Sequence, residues 1–140
     1  MNFSENLNPS ARILIVDDHD DSRVVTRLVL EHEGFTVYEA SSGEEGFRLA
    51  VERQPDLMLV DVVLPGFDGF ELARRIRSNR VIWNTRIIAV SALGRQTLPD
   101  EAVRAGCAAF LAKPVHIAEL RRLVHEQLQF ARTKGQLAHT

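Results

Sequence analysis

The stretch ILIVDDHDDSR places four aspartates within five positions, directly after an apolar run. Two unit charges about 4 Å apart repel by roughly 1 kcal/mol in water and about 4 kcal/mol near a protein surface, so this cluster needs compensation. Asp17 and Asp18 end the apolar run, and paired carboxylates there suit a hard divalent cation. Asp20 and Asp21 instead suit the cap of a helix that follows them. The stretch therefore predicts a cation site and a helix start.

Three further polar residues end or follow apolar runs elsewhere in the chain. Asp61 ends LMLVD, Ser91 ends RIIAVS and Lys113 follows AAFLA. Together with the first two aspartates they supply three carboxylates, one hydroxyl and one ammonium, an excess of negative charge that a divalent cation would neutralise. A phosphoryl group bound there would accept hydrogen bonds from the hydroxyl and the ammonium. Because a carboxylate can itself attack phosphorus, Asp61 is the candidate nucleophile.

Short apolar runs alternate with amphipathic segments five times along the chain. Ser42 with Glu45, and Asp68 with Glu71, have the spacing of a capped helix start. Strands are predicted over 12–17, 36–40, 57–61, 86–91 and 108–112, and helices over 22–33, 42–53, 68–77, 99–105 and from 117 onward. Strict alternation predicts an α/β fold in which helices cover both faces of a parallel sheet. Ligand sites in such folds lie beyond the carboxyl ends of the strands, where the polar residues fall.

The chain resembles the receiver domain of two-component response regulators over residues 12–130. The matching motifs are VDD at 16–18, LVDVVLPGFDG at 59–69, VSA at 90–92 and FLAKP at 110–114. The resemblance implies a flavodoxin-like three-layer sandwich with five helices and a five-stranded parallel sheet in the order 2-1-3-4-5. It also implies a receiver domain over 12–131, and flexible segments are expected at 1–11 and 132–140, as is common at chain ends.

The resemblance assigns the metal ligands. Asp18, Asp61 and the backbone carbonyl of Val63 would hold Mg²⁺, and Asp17 would act mostly through water. We expect Mn²⁺ to be able to substitute. His19, which interrupts the acidic run, is interpreted as an exposed loop residue without a role in phosphoryl transfer.

The same resemblance makes Asp61 the phosphoryl acceptor. Ser91 and Lys113 would bind the phosphoryl oxygens, and the bond from Lys113 to Pro114 would be cis. On phosphorylation Ser91 would move toward the phosphoryl group and Phe110 would turn inward, which changes the face formed by helix 4, strand 5 and helix 5.

Two apolar residues are predicted to set how long the phosphoryl group persists. The resemblance implies two variable positions that flank the phosphoryl group, two residues beyond the acceptor and two beyond the hydroxyl residue, near the path of the attacking water; here they are Val63 and Leu93. Neither side chain can orient that water, so slow self-dephosphorylation is expected.

The partners implied are a histidine kinase or a histidine phosphotransfer protein as donor, and a downstream protein or effector domain as target. The protein would be no enzyme in the usual sense, because it would catalyse only its own phosphorylation and dephosphorylation, and it would act as a monomer or a phosphorylation-dependent homodimer. A net charge of −2 with mixed signs predicts no direct contact with nucleic acid. The absence of a signal-like or membrane-length apolar run, with the single Cys107, predicts a cytoplasmic protein without a membrane association.

Three alternatives share parts of this pattern. Asp18, Asp20 and Ser22 fit the D-x-D-x-[ST] loop of haloacid-dehalogenase-type phosphatases, but the only acids after residue 113 are Glu119 and Glu126, which cannot complete that family's metal site. A pseudo-receiver that is not phosphorylated usually lacks one of the acidic, hydroxyl or lysine positions, all of which are present here. A flavodoxin-type flavin carrier would suffer repulsion between the aspartates and the flavin phosphate.

Overall fold

Five strands form one parallel sheet in a computed structural model that describes residues 11–92 and 100–138. The sheet order is β2-β1-β3-β4-β5, as predicted. The strands are β1 (Arg12–Val16), β2 (Thr36–Ala40), β3 (Leu57–Asp61), β4 (Arg86–Ser91) and β5 (Ala109–Ala112). The helices are α1 (Asp20–His32), α2 (Gly43–Arg53), α3 (Gly69–Arg77), α4 (Asp100–Ala105) and α5 (Ile117–Ala138). The flavodoxin-like α/β fold is thereby confirmed.

The strand side chains divide the core between the two faces of the sheet. Ile13 packs in one cluster with Leu30 of α1 and Val124 of α5. Its neighbour Leu14 points to the opposite face and packs in a second cluster that includes Ile76 of α3. Because successive side chains of a strand point to opposite faces, an apolar strand such as ILIV supplies both clusters at once. The layers hold the strand ends, and therefore the polar residues at them, in fixed positions.

Two of the predicted helix starts are confirmed by side-chain caps. The hydroxyl of Ser42 accepts a hydrogen bond from the Glu45 N–H at 3.2 Å, and the carboxylate of Asp68 accepts one from the Glu71 N–H at 2.9 Å. Each satisfies a backbone donor that has no partner within the first turn of a helix. The cap of α3 matters for the site, because α3 follows the loop after Asp61.

The predicted cap of α1 by Asp20 or Asp21 is wrong. The helix begins at Asp20, with His19 at the cap position and no hydrogen bond from the His19 side chain to the first turn. Asp17 accepts a hydrogen bond from the His19 N–H at 2.9 Å, which turns the chain before the second pair of aspartates. Those aspartates lie in the first turn, where Asp20 forms an ion pair with Arg23 at 2.7 Å. The helix dipole still favours negative charge at these positions.

Several boundaries differ from the predicted ones. β1 ends at Val16 rather than at 17, although the Asp17 N–H still donates to the carbonyl of Ala40 at 3.0 Å, and β5 begins at Ala109 rather than at 108. α5 runs to Ala138, and most of residues 132–138 have high helix propensity; the flexibility expected of 132–140 stays a prediction. No helix within the described ranges is long and apolar enough to cross a membrane. Residues 1–10 and the predicted start of the fourth helix at Pro99 lie outside the described residues.

Arg77 joins the end of α3 to the segments that follow α3 and α4. Its Nη2 donates to the carbonyl of Gly106 at 2.6 Å, and its Nη1 donates to the carbonyls of Trp83 at 2.8 Å and Thr85 at 2.6 Å. Next to Gly106, Cys107 is buried, and burial raises the pKa of its thiol to about 11. The thiol therefore stays protonated at neutral pH and packs in the core.

Candidate functional site

The polar residues singled out in the sequence meet at the carboxyl edge of the sheet. Asp17 follows β1, Asp61 ends β3, Ser91 ends β4 and Lys113 follows β5. Asp17, Asp61 and Ser91 are buried, with 7%, 4% and 1% of their surface exposed. Burial of ionised or polar groups costs free energy unless they are paired, so their clustering requires the specific contacts described below.

The contacts of Asp61 are divided between its two carboxylate oxygens. Oδ2 accepts a hydrogen bond from the Lys113 Nζ at 2.7 Å, and Oδ1 accepts one from the Val63 N–H at 3.1 Å. The same ammonium lies 3.9 Å from Oδ1 of Asp17. Lys113 therefore stands between two buried carboxylates and offsets part of their mutual repulsion.

Asp17 is held in its ionised form by local hydrogen bonds. Burial by itself would raise the pKa of its carboxyl group. The Ser22 hydroxyl, which donates to Oδ2 at 2.5 Å, the N–H of His19 and the charge of Lys113 outweigh this effect and hold the pKa below its ordinary value. Asp17 therefore remains a negatively charged donor of oxygen ligands at neutral pH.

Asp17, Asp18, His19 and Asp61 form a group that could hold a metal ion, because one ligand atom from each lies within 4.8 Å of all the others. The carboxylate oxygens of the three aspartates are the ligand type that Mg²⁺ prefers. Sequence reasoning missed His19, which we expected to be a simple loop residue. Its side chain is 64% exposed, yet Nδ1 lies 3.2 Å from Oδ1 of Asp17 and 3.2 Å from Oδ1 of Asp18. In the sequence, the position of His19 directly after Asp18 was the signal that could have indicated this closeness.

The loop after Asp61 is closely packed against the start of α3. The Gly69 N–H donates to the carbonyl of Val62 at 2.9 Å, and a Cβ at Gly69 would collide with the backbone of Asp61. Gly66 has a positive φ of 77°, which an L side chain rarely adopts. Val63 is exposed, and both its place beside the path of water and its carbonyl as a metal ligand stay predictions.

The remaining predicted residues lie on or beside β4 and β5. The carbonyl of Ser91 accepts a hydrogen bond from the Lys113 N–H at 2.9 Å, which fixes the two residues side by side. The Lys113–Pro114 peptide bond is cis. Phe110 is half-buried and packs against the core cluster that α2, α3 and α4 cover. Leu93 lies outside the described residues.

Comparison with known proteins identifies the family. The family model "Response regulator receiver domain" matches residues 13–125. The chain therefore belongs to the response regulator receiver domain family. The transcriptional regulatory protein SrrA of Staphylococcus aureus is 37% identical over 105 residues, which are 75% of this chain and 42% of that protein. The chain thus spans less than half the length of this relative.

Solved structures agree with the family assignment. A response regulator from Chloroflexus aurantiacus is 34% identical with a TM-score of 0.81, and the match covers 86% of this chain and 98% of that one. The receiver domain of sensor histidine kinase PA1611 from Pseudomonas aeruginosa is 30% identical with a TM-score of 0.78 over the same shares. In that structure a magnesium ion is coordinated in the active-site cleft.

Family membership removes two of the three alternatives considered for the sequence. The D-x-D-x-[ST] spacing of Asp18, Asp20 and Ser22 belongs to a receiver rather than to a phosphatase of the haloacid-dehalogenase type. The hydroxyl of Ser22 serves the fold by donating to Asp17. A flavodoxin-type flavin carrier is likewise excluded, since the fold is shared but the family is not.

Proposed function

We propose that this chain is a phosphorylatable receiver that takes a phosphoryl group from a histidine kinase or a phosphorelay histidine protein onto Asp61. The observation that carries this proposal is the contact of 2.7 Å between Lys113 and Asp61, beside three further potential metal ligands. A buried carboxylate with an ammonium on one oxygen and a cation-binding cluster nearby is arranged for reaction with a phosphoryl group. A pseudo-receiver that only binds partners would not need this combination.

In the proposed reaction a carboxylate oxygen of Asp61 attacks phosphorus, and the bond from phosphorus to the donor imidazole nitrogen breaks. The imidazole keeps that electron pair, and an acyl phosphate forms on Asp61. Lys113 neutralises charge on the transferred oxygens, and the Ser91 hydroxyl donates a hydrogen bond to one of them. Water later attacks the acyl phosphate and releases inorganic phosphate. These two steps on its own side chain would be the only reactions that the protein catalyses.

Mg²⁺ is the proposed cofactor, as in the magnesium-bound receiver from P. aeruginosa. Asp18, Asp61 and the carbonyl of Val63 would hold the ion, with Asp17 acting through water. The bound ion would neutralise negative charge on the phosphoryl oxygens. The residues fit this cofactor, since carboxylate oxygens of all three aspartates lie within the cluster of 4.8 Å. We expect Mn²⁺ to be able to take the same place.

The proposed output is a change in the face formed by α4, β5 and α5. Ser91 would follow the phosphoryl group, and the half-buried ring of Phe110 would turn inward into the space that Ser91 leaves. Phe110 lies on β5 against the core cluster under α4, so such a turn would change the packing of this face. The target would be a downstream protein or an effector domain. Whether the chain is a monomer or forms a homodimer on phosphorylation stays a prediction.

The deciding experiment compares Asp61→Asn with the wild-type protein. Both are incubated with acetyl phosphate and Mg²⁺, and the added phosphoryl mass is located by mass spectrometry of intact protein and of peptides. We expect one phosphoryl group on wild type and none on Asp61→Asn. Asp100→Asn, which changes an exposed aspartate in α4, is the matched control and should be labelled like wild type. Equal labelling of Asp61→Asn would overturn the proposal.

A further inference from the structure

The position of His19 is the least expected feature of the acidic cluster. Its Nδ1 lies 3.2 Å from Oδ1 of Asp17, 3.2 Å from Oδ1 of Asp18 and 3.9 Å from Oδ2 of Asp61. The ring thus turns one nitrogen toward three carboxylates although most of the side chain is exposed. A loop histidine without a role would be free to turn both nitrogens to water.

The backbone holds His19 in this place. The residue occupies the cap position of α1 in an extended conformation, with φ −95° and ψ 109°. Its N–H donates to Asp17, and its carbonyl accepts from the Arg23 N–H at 3.0 Å. Both backbone groups are therefore engaged, and the ring leaves the chain directly beside the two adjacent aspartates.

We propose that His19 is a protein ligand of the metal site and gives it a preference for divalent ions that accept nitrogen, such as Zn²⁺, Ni²⁺ and Co²⁺, relative to Mg²⁺. This inference rests on the proposed function, because it uses the same metal site. Imidazole suits these ions, whereas Mg²⁺ binds oxygen almost exclusively. Oxygen ligands alone would give no such preference beyond the general order of affinities among divalent ions.

The distances fit direct coordination. Ions bound at about 2.0–2.1 Å place neighbouring ligand atoms roughly 2.8–3.0 Å apart in an octahedral shell and roughly 3.3–3.4 Å apart in a tetrahedral shell. The two contacts of Nδ1 with Asp17 and Asp18 are both 3.2 Å. Coordination requires a lone pair on Nδ1, so the hydrogen that Nδ1 shares with Asp17 must leave. A neutral ring then carries its proton on Nε2, and a protonated ring releases one proton to solvent.

The local charges favour an ion of charge +2 here. Three carboxylates and the ammonium of Lys113 leave two negative charges, which such an ion would neutralise. The competing interpretation is that His19 only orients Asp17 through their hydrogen bond. In that case its removal would weaken binding of all divalent ions alike, whereas a ligand role predicts a selective loss.

The test uses the full chain with ¹⁵N-labelled histidine. Zn²⁺ is added, and the ring nitrogens are followed by long-range ¹⁵N–¹H NMR. We expect a large shift of Nδ1 of His19 with Zn²⁺ and none of that size with Mg²⁺. No shift at His19, while Asp61 and its neighbours respond to Mg²⁺, would overturn the inference and leave the proposed function intact. A lack of response to either ion would overturn the metal site of the proposed function as well.

Calorimetric titrations provide the second readout. His19→Ala should lower the affinity for Zn²⁺ by about tenfold or more, a loss greater than its effect on Mg²⁺. His32→Ala, which removes an exposed histidine at the end of α1, is the matched control and should keep the wild-type ratio of the two affinities. Asp18→Ala should weaken the binding of both ions, which would show that they bind at the same site. An equal fall for Zn²⁺ and Mg²⁺ in His19→Ala would identify His19 as a positioning residue only.

Discussion

The ammonium nitrogen of Lys113 lies 2.7 Å from Oδ2 of Asp61, although the two residues are 52 positions apart in the sequence. One oxygen of the proposed acceptor is therefore paired before any phosphoryl group arrives. Because Asp61 is buried, this pair is shielded from water more than a surface ion pair would be, and the loss of one partner leaves a buried charge.

Lys113→Ala should separate phosphorylation from the conformational response. We expect reduced but measurable labelling of Asp61 by acetyl phosphate, because the nucleophile and the metal ligands remain. The ring signals of Phe110 should no longer shift on phosphorylation, since the phosphoryl oxygens lose the cation that positions them. NMR of the variant with and without acetyl phosphate measures both effects. A wild-type shift at Phe110 in Lys113→Ala would show that this contact does not transmit the response.

Mg²⁺ should stabilise the folded protein, because it relieves the repulsion among Asp17, Asp18 and Asp61. At an ion concentration 100 times its Kd, the stabilisation expected by mass action is about 2.7 kcal/mol. Trifluoroberyllate, which mimics the phosphoryl group on Asp61, should raise the melting temperature further. Calorimetry or thermal unfolding followed by circular dichroism measures both shifts. Asp61→Asn should lose the response to trifluoroberyllate. A melting temperature of the wild-type protein that does not change with Mg²⁺ would contradict the metal site.

Ser22→Ala should destabilise the metal-free protein in a pH-dependent way. The hydroxyl of Ser22 helps to hold the pKa of Asp17 below 3.8, its ordinary value. A carboxyl group whose pKa is lower in the folded state than in the unfolded state stabilises the protein at pH values above its unfolded-state pKa. This stabilisation is lost as the pH falls through the folded-state pKa. Loss of a hydrogen bond to a charged group costs about 1.5–3 kcal/mol. That cost should appear at pH 7 and diminish below pH 3.8.

Urea unfolding of wild type and Ser22→Ala, at pH 7 and below pH 3.8 in the presence of a metal chelator, measures this difference in the free energy of unfolding. Ser41→Ala is the matched control, because Ser41 is exposed and lies outside the acidic cluster. A loss in Ser22→Ala that is the same at low and neutral pH would mean that the hydroxyl stabilises the fold without acting through the charge of Asp17.

The double change Val63→Asn with Leu93→Glu should shorten the lifetime of the acyl phosphate at least several-fold. Polar groups at these positions can orient the attacking water, and each 1.4 kcal/mol of barrier is worth about tenfold in rate. Decay is followed in Mg²⁺ after the phosphoryl donor is removed. Val81→Asn, which changes an equally exposed valine far from the site in the sequence, should decay like wild type. Unchanged decay in the double variant would mean that these two residues affect the binding of partners and not the lifetime of the acyl phosphate.

The sequence predicts most of the fold because its strands are short, apolar and separated by capped helices. The meeting of Asp61 with Lys113 follows from the general rule that the carboxyl ends of parallel strands share one edge. Distances and individual partners required the structure. The pairing of the Lys113 ammonium with one oxygen of Asp61, and of the Val63 N–H with the other, depends on loop conformations that no periodicity encodes.

The wrong prediction of the α1 cap and the unexpected position of His19 have one physical origin. The general preference for aspartate at helix caps favours Asp20 or Asp21, but Asp17 accepts hydrogen bonds from both His19 and Ser22. These two hydrogen bonds within the turn place His19 at the cap position and hold its imidazole beside the carboxylates. The general cap preference ranks residue types one at a time, whereas this turn is set by the hydrogen bonds that Asp17 accepts from residues two and five positions later.

The guanidinium of Arg77 has a mechanical consequence for α4. The carbonyl that it binds belongs to Gly106, directly after the last residue of this short helix. Any tilt of α4 that preserves this bond must pivot about its C-terminal end, so displacement grows toward Asp100, at the end nearer in the chain to Ser91. Burial of Ala102 and Ala105 restricts α4 further, so its exposed first turn is the part of the helix with most freedom to move. Small movements at the strand edge would be amplified at one end of the surface and damped at the other.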